Sequence, residues 1–136
     1  MFDATQLATL RAVIDRFIPA DDTPGGVAAG VDSYLIRLLQ GDGAGFLHRY
    51  LVAMDSLERE AQRRYQQSFA ALSAADADAL LHDLWENRTS VAWAIDAAAF
   101  FAQCAEHCAE GFYADPRHGA NANGVSWQML GFEERR

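Results

Sequence analysis

The sequence contains no lysine. Its 11 basic residues are all arginine and stand against 19 acidic residues among 136, which gives a formal net charge of -8. The lack of lysine excludes Schiff-base catalysis and a P-loop, because both require a lysine side chain. An excess of negative charge is repelled by phosphate backbones and anionic lipids. The composition therefore disfavours nucleic-acid binding and membrane-surface binding.

The sequence also lacks long apolar runs and the features of an export leader. Its longest stretch without a charged residue is shorter than the roughly 20 residues that cross a bilayer, so no membrane insertion is predicted. Met1 leads directly into a helix-start pattern, with no basic segment, apolar segment or twin-arginine motif before it. We expect a cytoplasmic protein, or a periplasmic one if a partner carries it during export.

Cysteine is scarce, with two residues, Cys104 and Cys108. Their spacing places both on one face of a helix, where their side chains run parallel and do not converge on a disulfide. We therefore predict two buried thiols. With 51% hydrophobic residues, a chain of this length can form one domain with its own core and without crosslinks.

Strand-like alternation of apolar and polar residues is absent, and valine and isoleucine are sparse. Five segments instead carry apolar residues at spacings of three and four, which predicts five helices. The predicted fold is an all-α bundle of about five helices over residues 1–110. An irregular, aromatic-rich C-terminal tail, residues 111–136, completes the single domain and packs on the bundle, on a partner or on both.

Several helix ends can be predicted from local patterns. Asp3 and Gln6 form a capping-box pattern at the first helix, and Pro19 ends that helix. Ser73 is the predicted cap of the fourth helix. The second predicted helix includes Val27, and the glycine run that starts at Gly41 ends it.

The fifth helix is expected to begin after a cap at Thr89 or Ser90 and to include Trp93. Gly111 is placed where a left-handed C-cap belongs. In the third helix, Glu60 and Arg64 form an i,i+4 pair worth a few tenths of a kcal/mol on a charged face. We interpret that face as solvated or partner-facing.

No convincing catalytic or metal-binding set emerges. His107 lies between the two cysteines, but successive helical residues point about 100° apart, so it cannot share a metal with both sulfurs unless the helix deforms. His82 and Glu86 are spaced for one helix face, and further ligands are missing. We therefore predict no catalytic residues, no metal site and no cofactor in this chain. A small metal-binding helical protein using Cys104, His107, Cys108 and His82 stays as an alternative.

The tail is the part of the chain that stands apart from this scaffold. Phe112, Tyr113, Trp127 and Phe132 offer large apolar area, and Tyr and Trp are typical interface anchors. These rings either cover an open end of the bundle or contact a partner. The residues alone leave both interpretations open, and a self-contained helical interaction module is one of them.

Two motifs near the chain ends favour one of these interpretations, contact with a partner. The first motif consists of Phe17 to Gly25 (FIPADDTPG) and Gly30 to Tyr34 (GVDSY). The second consists of Gly111 to Pro116 (GFYADP), Gly119 to Asn121 (GAN) and Trp127 to Phe132. Together they resemble the gluconate 2-dehydrogenase subunit 3 family. The resemblance spans nearly the whole chain. The sequence departs from the family pattern at two points. It shows no twin-arginine signal, and Ala120 stands where the family usually has a second glycine.

The resemblance implies a non-catalytic small subunit of a bacterial, membrane-associated dehydrogenase of sugars or polyols. Its implied partner is a large flavoprotein of the glucose-methanol-choline oxidoreductase type, which carries FAD and is often accompanied by a cytochrome c. The small subunit would stabilise or mature that partner. Together with the aromatic tail, the resemblance implies partner-binding residues at Tyr113, Pro116, His118, Asn121, Trp127 and Phe132. His118 and Asn121 are the polar groups expected nearest the partner's active site.

Overall fold

The computed structural model describes residues 1–20 and 25–114. Over these ranges the chain forms five α-helices and two single 3-10 turns, with no strand. The helices are α1 (Ala4–Phe17), α2 (Val31–Gln40), α3 (Leu47–Tyr65), α4 (Ala74–Trp85) and α5 (Ala97–Tyr113). The all-α prediction of five helices is confirmed. The tail beyond residue 114 lies outside the described residues, so its packing stays a prediction.

The predicted start and end of α1 and the predicted cap of α4 are confirmed. Asp3 Oδ1 accepts a 2.7 Å hydrogen bond from the Gln6 backbone, and Gln6 Oε1 accepts a 2.9 Å bond from the Asp3 backbone, which completes the capping box. Helix α1 ends at Phe17, just before Pro19. Ser73 Oγ accepts a 3.1 Å bond from the backbone of Asp76 and caps α4.

Helices α1 and α5 form the centre of the bundle, because each contacts the other four helices. The core draws large buried side chains from all five, among them Leu10, Phe17, Leu35, Tyr50, Leu57, Leu80, Phe100 and Phe101. Because α5 is central, its C-terminal end brings the chain from the core to the surface.

Helix α5 differs from the prediction at both ends. Asp96, and neither Thr89 nor Ser90, is its N-cap, since Asp96 Oδ1 accepts a 3.0 Å hydrogen bond from the backbone of Ala99. Trp93 lies in the preceding loop. The predicted cap at Gly111 is also wrong, because the helix continues to Tyr113. Phe112, only 2% exposed, is the physical reason: it extends the buried stripe of the helix by one more turn.

Helix α2 starts later than predicted. Val27 lies in the turn before it, where its N–H donates a 2.9 Å hydrogen bond to Asp15 Oδ1. The N-cap is Gly30, whose φ of 87° suits glycine and strains other residues. The helix ends at Gln40, and the predicted stop at Gly41 is confirmed.

Candidate partner-contact surface

Tyr113 is the one predicted partner-binding residue within the described ranges. It is the last residue of α5 and is 39% exposed, whereas the adjacent Phe112 is 2% exposed and belongs to the core. Pro116, His118, Asn121, Trp127 and Phe132 lie outside the described residues. Tyr113 therefore places an exposed aromatic ring at the C-terminal end of α5.

A close crossing of α2 and α5 lies beside this point. Gly111 packs directly against the ring of Tyr34, and a Cβ added at Gly111 would lie 2.7 Å from Tyr34 Cδ2. Only glycine permits this approach without movement of the ring. The crossing explains why a glycine is present inside the helix, at a position where the sequence pattern predicts a C-cap.

An open surface groove of ≈ 510 Å³ runs along this crossing, and we call it the α2–α5 groove. Its lining includes Gly30, Ser33, Tyr34, Arg37 and Ala114. Burial raises the pKa of the Tyr34 hydroxyl, and the neighbouring Glu110 carboxylate raises it further. The groove combines aromatic and small apolar surface with one exposed guanidinium group.

A second depression of ≈ 350 Å³ adjoins the groove along α2, and we call it the distal depression. Its lining includes Tyr34 and Arg37, which also line the groove, together with Leu38, Gly41 and Asp42. The two concavities therefore flank the same pair of side chains. They form a shallow path that starts at the end of α5 and follows α2 towards its C-terminus.

The cysteine and histidine cluster lies inside the bundle. Cys104 and Cys108 are free and buried, as predicted. His107 Nδ1 lies 2.7 Å from Tyr50 Oη, and the two rings stack at 5.9 Å. Burial lowers the pKa of His107, although Glu110 and Glu106 act in the opposite direction. The imidazole thus serves as a hydrogen-bond partner of a buried tyrosine.

Hydrogen bonding with Cys104, reinforced by burial, raises the pKa of the Cys108 thiol. His82, the other histidine of the metal-binding alternative, is exposed on α4. No group of three or more His, Cys, Asp or Glu side chains suited to a metal occurs in residues 1–20 and 25–114. The structure does not bring the four residues of that alternative together.

Glu60 lies in a different environment from the one that the sequence pattern predicts. It was assigned to a solvated or partner-facing face, but its side chain is 0% exposed. The carboxylate accepts hydrogen bonds from Ser90 Oγ at 2.6 Å, Val91 N at 3.2 Å and Trp93 Nε1 at 2.9 Å. The predicted pair with Arg64 does form, at 3.0 Å. Glu60 therefore anchors the loop between α4 and α5.

Two arginines of α3 reinforce this anchor. Arg64 Nη1 donates to Asp83 Oδ2 at 2.7 Å, and its Nη2 donates to the Arg88 carbonyl at 2.9 Å. Arg59 Nη2 donates to the Ala92 carbonyl at 3.0 Å. Burial by itself would raise the pKa of Glu60, but the hydrogen bonds from Ser90 and Trp93 outweigh it and lower the pKa. The carboxylate is thus held in its charged form.

One sequence signal could have located this buried carboxylate. Glu60 lies three residues after Leu57 and one before Ala61, both 0% exposed, so it sits at the edge of the apolar stripe of α3. Its partners Ser90, Val91 and Trp93 are about thirty positions further along the chain, and no periodicity indicates them.

No helix within the described ranges is long and apolar enough to cross a membrane.

A family model described as Gluconate 2-dehydrogenase subunit 3 matches residues 4–133. This match covers the bundle and nearly all of the tail. Searches of the curated proteins and of the solved structures give no match.

Proposed function

The chain belongs to the gluconate 2-dehydrogenase subunit 3 family, and we propose that it is a non-catalytic small subunit of an oxidoreductase complex. In this proposal it stabilises or matures a large FAD-dependent dehydrogenase of the glucose-methanol-choline type that oxidises a sugar, polyol or glycoside. In this proposal FAD belongs to the large subunit, and a cytochrome c subunit is a further partner of the complex. The observation that carries the proposal is the family match, which extends through both end motifs.

The positions of Glu60, His107, Cys104 and Cys108 support a non-catalytic role. Within the described residues, the Glu60 carboxylate binds the loop before α5, and His107 is hydrogen-bonded to Tyr50. Cys104 and Cys108 are buried. General acid–base and nucleophilic catalysis require such groups to reach a substrate. Here these groups hold the chain's own fold together.

The exposed features near the end of α5 support partner binding. Tyr113 is one of two large apolar side chains that are exposed among the described residues, and it lies where the tail begins. Aromatic side chains in such positions commonly supply much of the binding energy of an interface. The tail adds Trp127 and Phe132 from a segment that the family match includes.

Co-expression with a large flavoprotein dehydrogenase of the glucose-methanol-choline type from the same organism tests the proposal. We expect the large subunit to be soluble, to bind flavin and to be active with an artificial electron acceptor only when this chain is present. Affinity capture of this chain should retain the large subunit. His82→Ala, at an exposed position on α4, is the matched control and should behave as the wild type.

A large subunit that is soluble, flavin-loaded and fully active without this chain would contradict the proposal. If affinity capture also retained no large subunit, the chain would be better described as a self-contained helical module. Flavin absorbance and dye-linked activity, measured on the same preparations, separate a failure of maturation from a failure of binding.

A further inference from the structure

The α2–α5 groove begins where the described part of the chain ends. Ala114 follows α5 directly and lines the groove together with Ser33 and Arg37 of α2. We propose that residues 115–120 of this same chain occupy the groove and the distal depression, and that they run along α2 towards Gly41. The inference goes beyond the proposed function and does not depend on it.

The local sequence favours a change of direction at this point. Asp115 precedes Pro116, and a residue before proline is disfavoured in the helical region and pushed towards an extended conformation. Pro116 also lacks the N–H that a continued helix would need. The chain is therefore biased to become extended as it leaves Ala114, inside the groove.

The length of the path matches a short extended segment. The lining residues of the groove and the distal depression run from Gly30 to Asp42. Helix α2 (Val31–Gln40) supplies most of this stretch and is about 15 Å long at a rise of 1.5 Å per residue, and the turn residues at either end extend the path slightly. An extended chain covers about 3.3 Å per residue, so about five or six residues fill the path. Residues 115–120 meet this requirement, and the rest of the tail extends beyond it.

The order of charges fits the same direction. Arg37 is exposed and lines both concavities, and exposed Asp42 lines the distal depression. The tail presents the opposite signs in sequence, with Asp115 first and Arg117 second. The acidic residue thus enters the path first, beside the groove that Arg37 lines, and the basic residue follows it towards Asp42. Such exposed pairs add little affinity, but they distinguish this direction from the reverse one.

This placement divides the predicted partner-binding residues into two groups. Pro116 and His118 fall in the segment that the bundle itself holds. Trp127 and Phe132 lie well beyond it and stay available for the large subunit. Asn121 lies at the border between the groups. A tail fixed at its root would lose less conformational entropy when its distal rings bind a partner.

Site-specific photocrosslinking in the full chain tests the placement. A benzoylphenylalanine at Ser33, an exposed lining residue, should crosslink within the monomer to a peptide from residues 115–120. A second probe at Asp42 should reach the later residues of that segment, and it serves as the alternative if the first variant folds poorly. A probe at His82 on α4 is the negative control. Mass spectrometry identifies the linked peptides.

A product with the mass of two chains would place a second copy in the groove and overturn the proposal. Failure of both probes to reach residues 115–120 would also overturn it. When the large subunit is added, the crosslink should persist. Its replacement by a crosslink to the large subunit would overturn the proposal for the complex while supporting the proposed function.

Charge reversal tests the direction separately. Arg37→Asp and Asp115→Arg should each lower the yield of the Ser33 crosslink about threefold, and the double variant should restore it. Arg63→Asp, at an exposed position of α3, should leave the yield unchanged. Equal yields in the single and double variants would contradict the pairing. Far-UV circular dichroism confirms that all variants are folded.

Discussion

Glu60 of α3 and Trp93 of the loop before α5 are joined by a 2.9 Å hydrogen bond from the indole Nε1 to a carboxylate that has no exposed surface. The same carboxylate accepts bonds from Ser90 and Val91. An ionised carboxylate is costly to bury unless hydrogen bonds and an opposite charge satisfy it, and here Arg64 supplies that charge. The buried Glu60 carboxylate is thus the central anchor of this irregular loop.

Replacing Glu60 should therefore destabilise the whole bundle. Glu60→Ala leaves the donors of Ser90, Val91 and Trp93 without their acceptor, whereas Arg64 keeps its ion pair with Asp83, and we expect the free energy of unfolding to fall by about 2–4 kcal/mol. Urea denaturation followed by tryptophan fluorescence measures the change. Glu106→Ala, at an exposed position of α5, is the control and should stay within about 0.5 kcal/mol of the wild type. A loss under about 1 kcal/mol would mean that the loop is not anchored as described.

Acid should weaken the same anchor. The pKa of Glu60 lies below its ordinary value of 4.5, and hydrogen bonding from Arg88 holds the pKa of Asp83 below its ordinary value of 3.8. The unfolded chain therefore takes up these protons before the folded chain does, so the free energy of unfolding decreases as the pH falls below about 4.5. Denaturation at a series of pH values should give a shallower decrease for Glu60→Gln than for the wild type. Parallel curves would contradict this assignment.

His107 should produce a separate pH dependence at higher pH. Burial lowers its pKa from the ordinary value of 6.5, so on acidification the unfolded chain binds this proton first. The free energy of unfolding should begin to decrease as the pH falls through about 6.5, well before the carboxylates titrate. His107→Gln should remove the slope between pH 7 and 5, and His82→Gln on exposed α4 should retain it. An unchanged slope in His107→Gln would assign it to another group.

The features that could be predicted from the sequence are those whose causes lie within a few positions. The capping box of Asp3 and Gln6 and the stop before Pro19 involve neighbours in the chain. The loop residues that Glu60 binds could not be predicted, because Ser90 lies 30 positions away. Gly111 was misplaced for the same reason: the Tyr34 ring that it contacts belongs to a different helix. Local propensity favoured a helix stop at glycine, and the burial of Phe112 outweighed it.

At the crossing of α2 and α5, the effect of Gly111→Ala on stability should be the opposite of that expected from helix propensity. Gly→Ala inside a helix ordinarily stabilises by about 1 kcal/mol. At Gly111 the new Cβ would lie 2.7 Å from Tyr34 Cδ2, so Gly111→Ala should instead lower the free energy of unfolding by about 1–3 kcal/mol. In a Tyr34→Ala background the same substitution should become neutral or stabilising. Thermal and urea denaturation of the four proteins complete the double-mutant cycle, and a stabilising Gly111→Ala in the wild-type background would contradict the close contact.

The exposed ring at the root of the tail gives the sharpest test of partner binding. Tyr113 is 39% exposed, so Tyr113→Ala should change the free energy of unfolding by less than about 1 kcal/mol. If the ring contacts the large subunit, the same substitution should weaken assembly about tenfold or more, because truncation of an aromatic anchor removes a central part of the binding energy. Trp127→Ala should act in the same way, and His82→Ala should leave both quantities unchanged. Titration of the large subunit against each variant, paired with urea denaturation of the free chain, compares the two losses directly. Equal losses of stability and of affinity would assign these rings to the chain's own core.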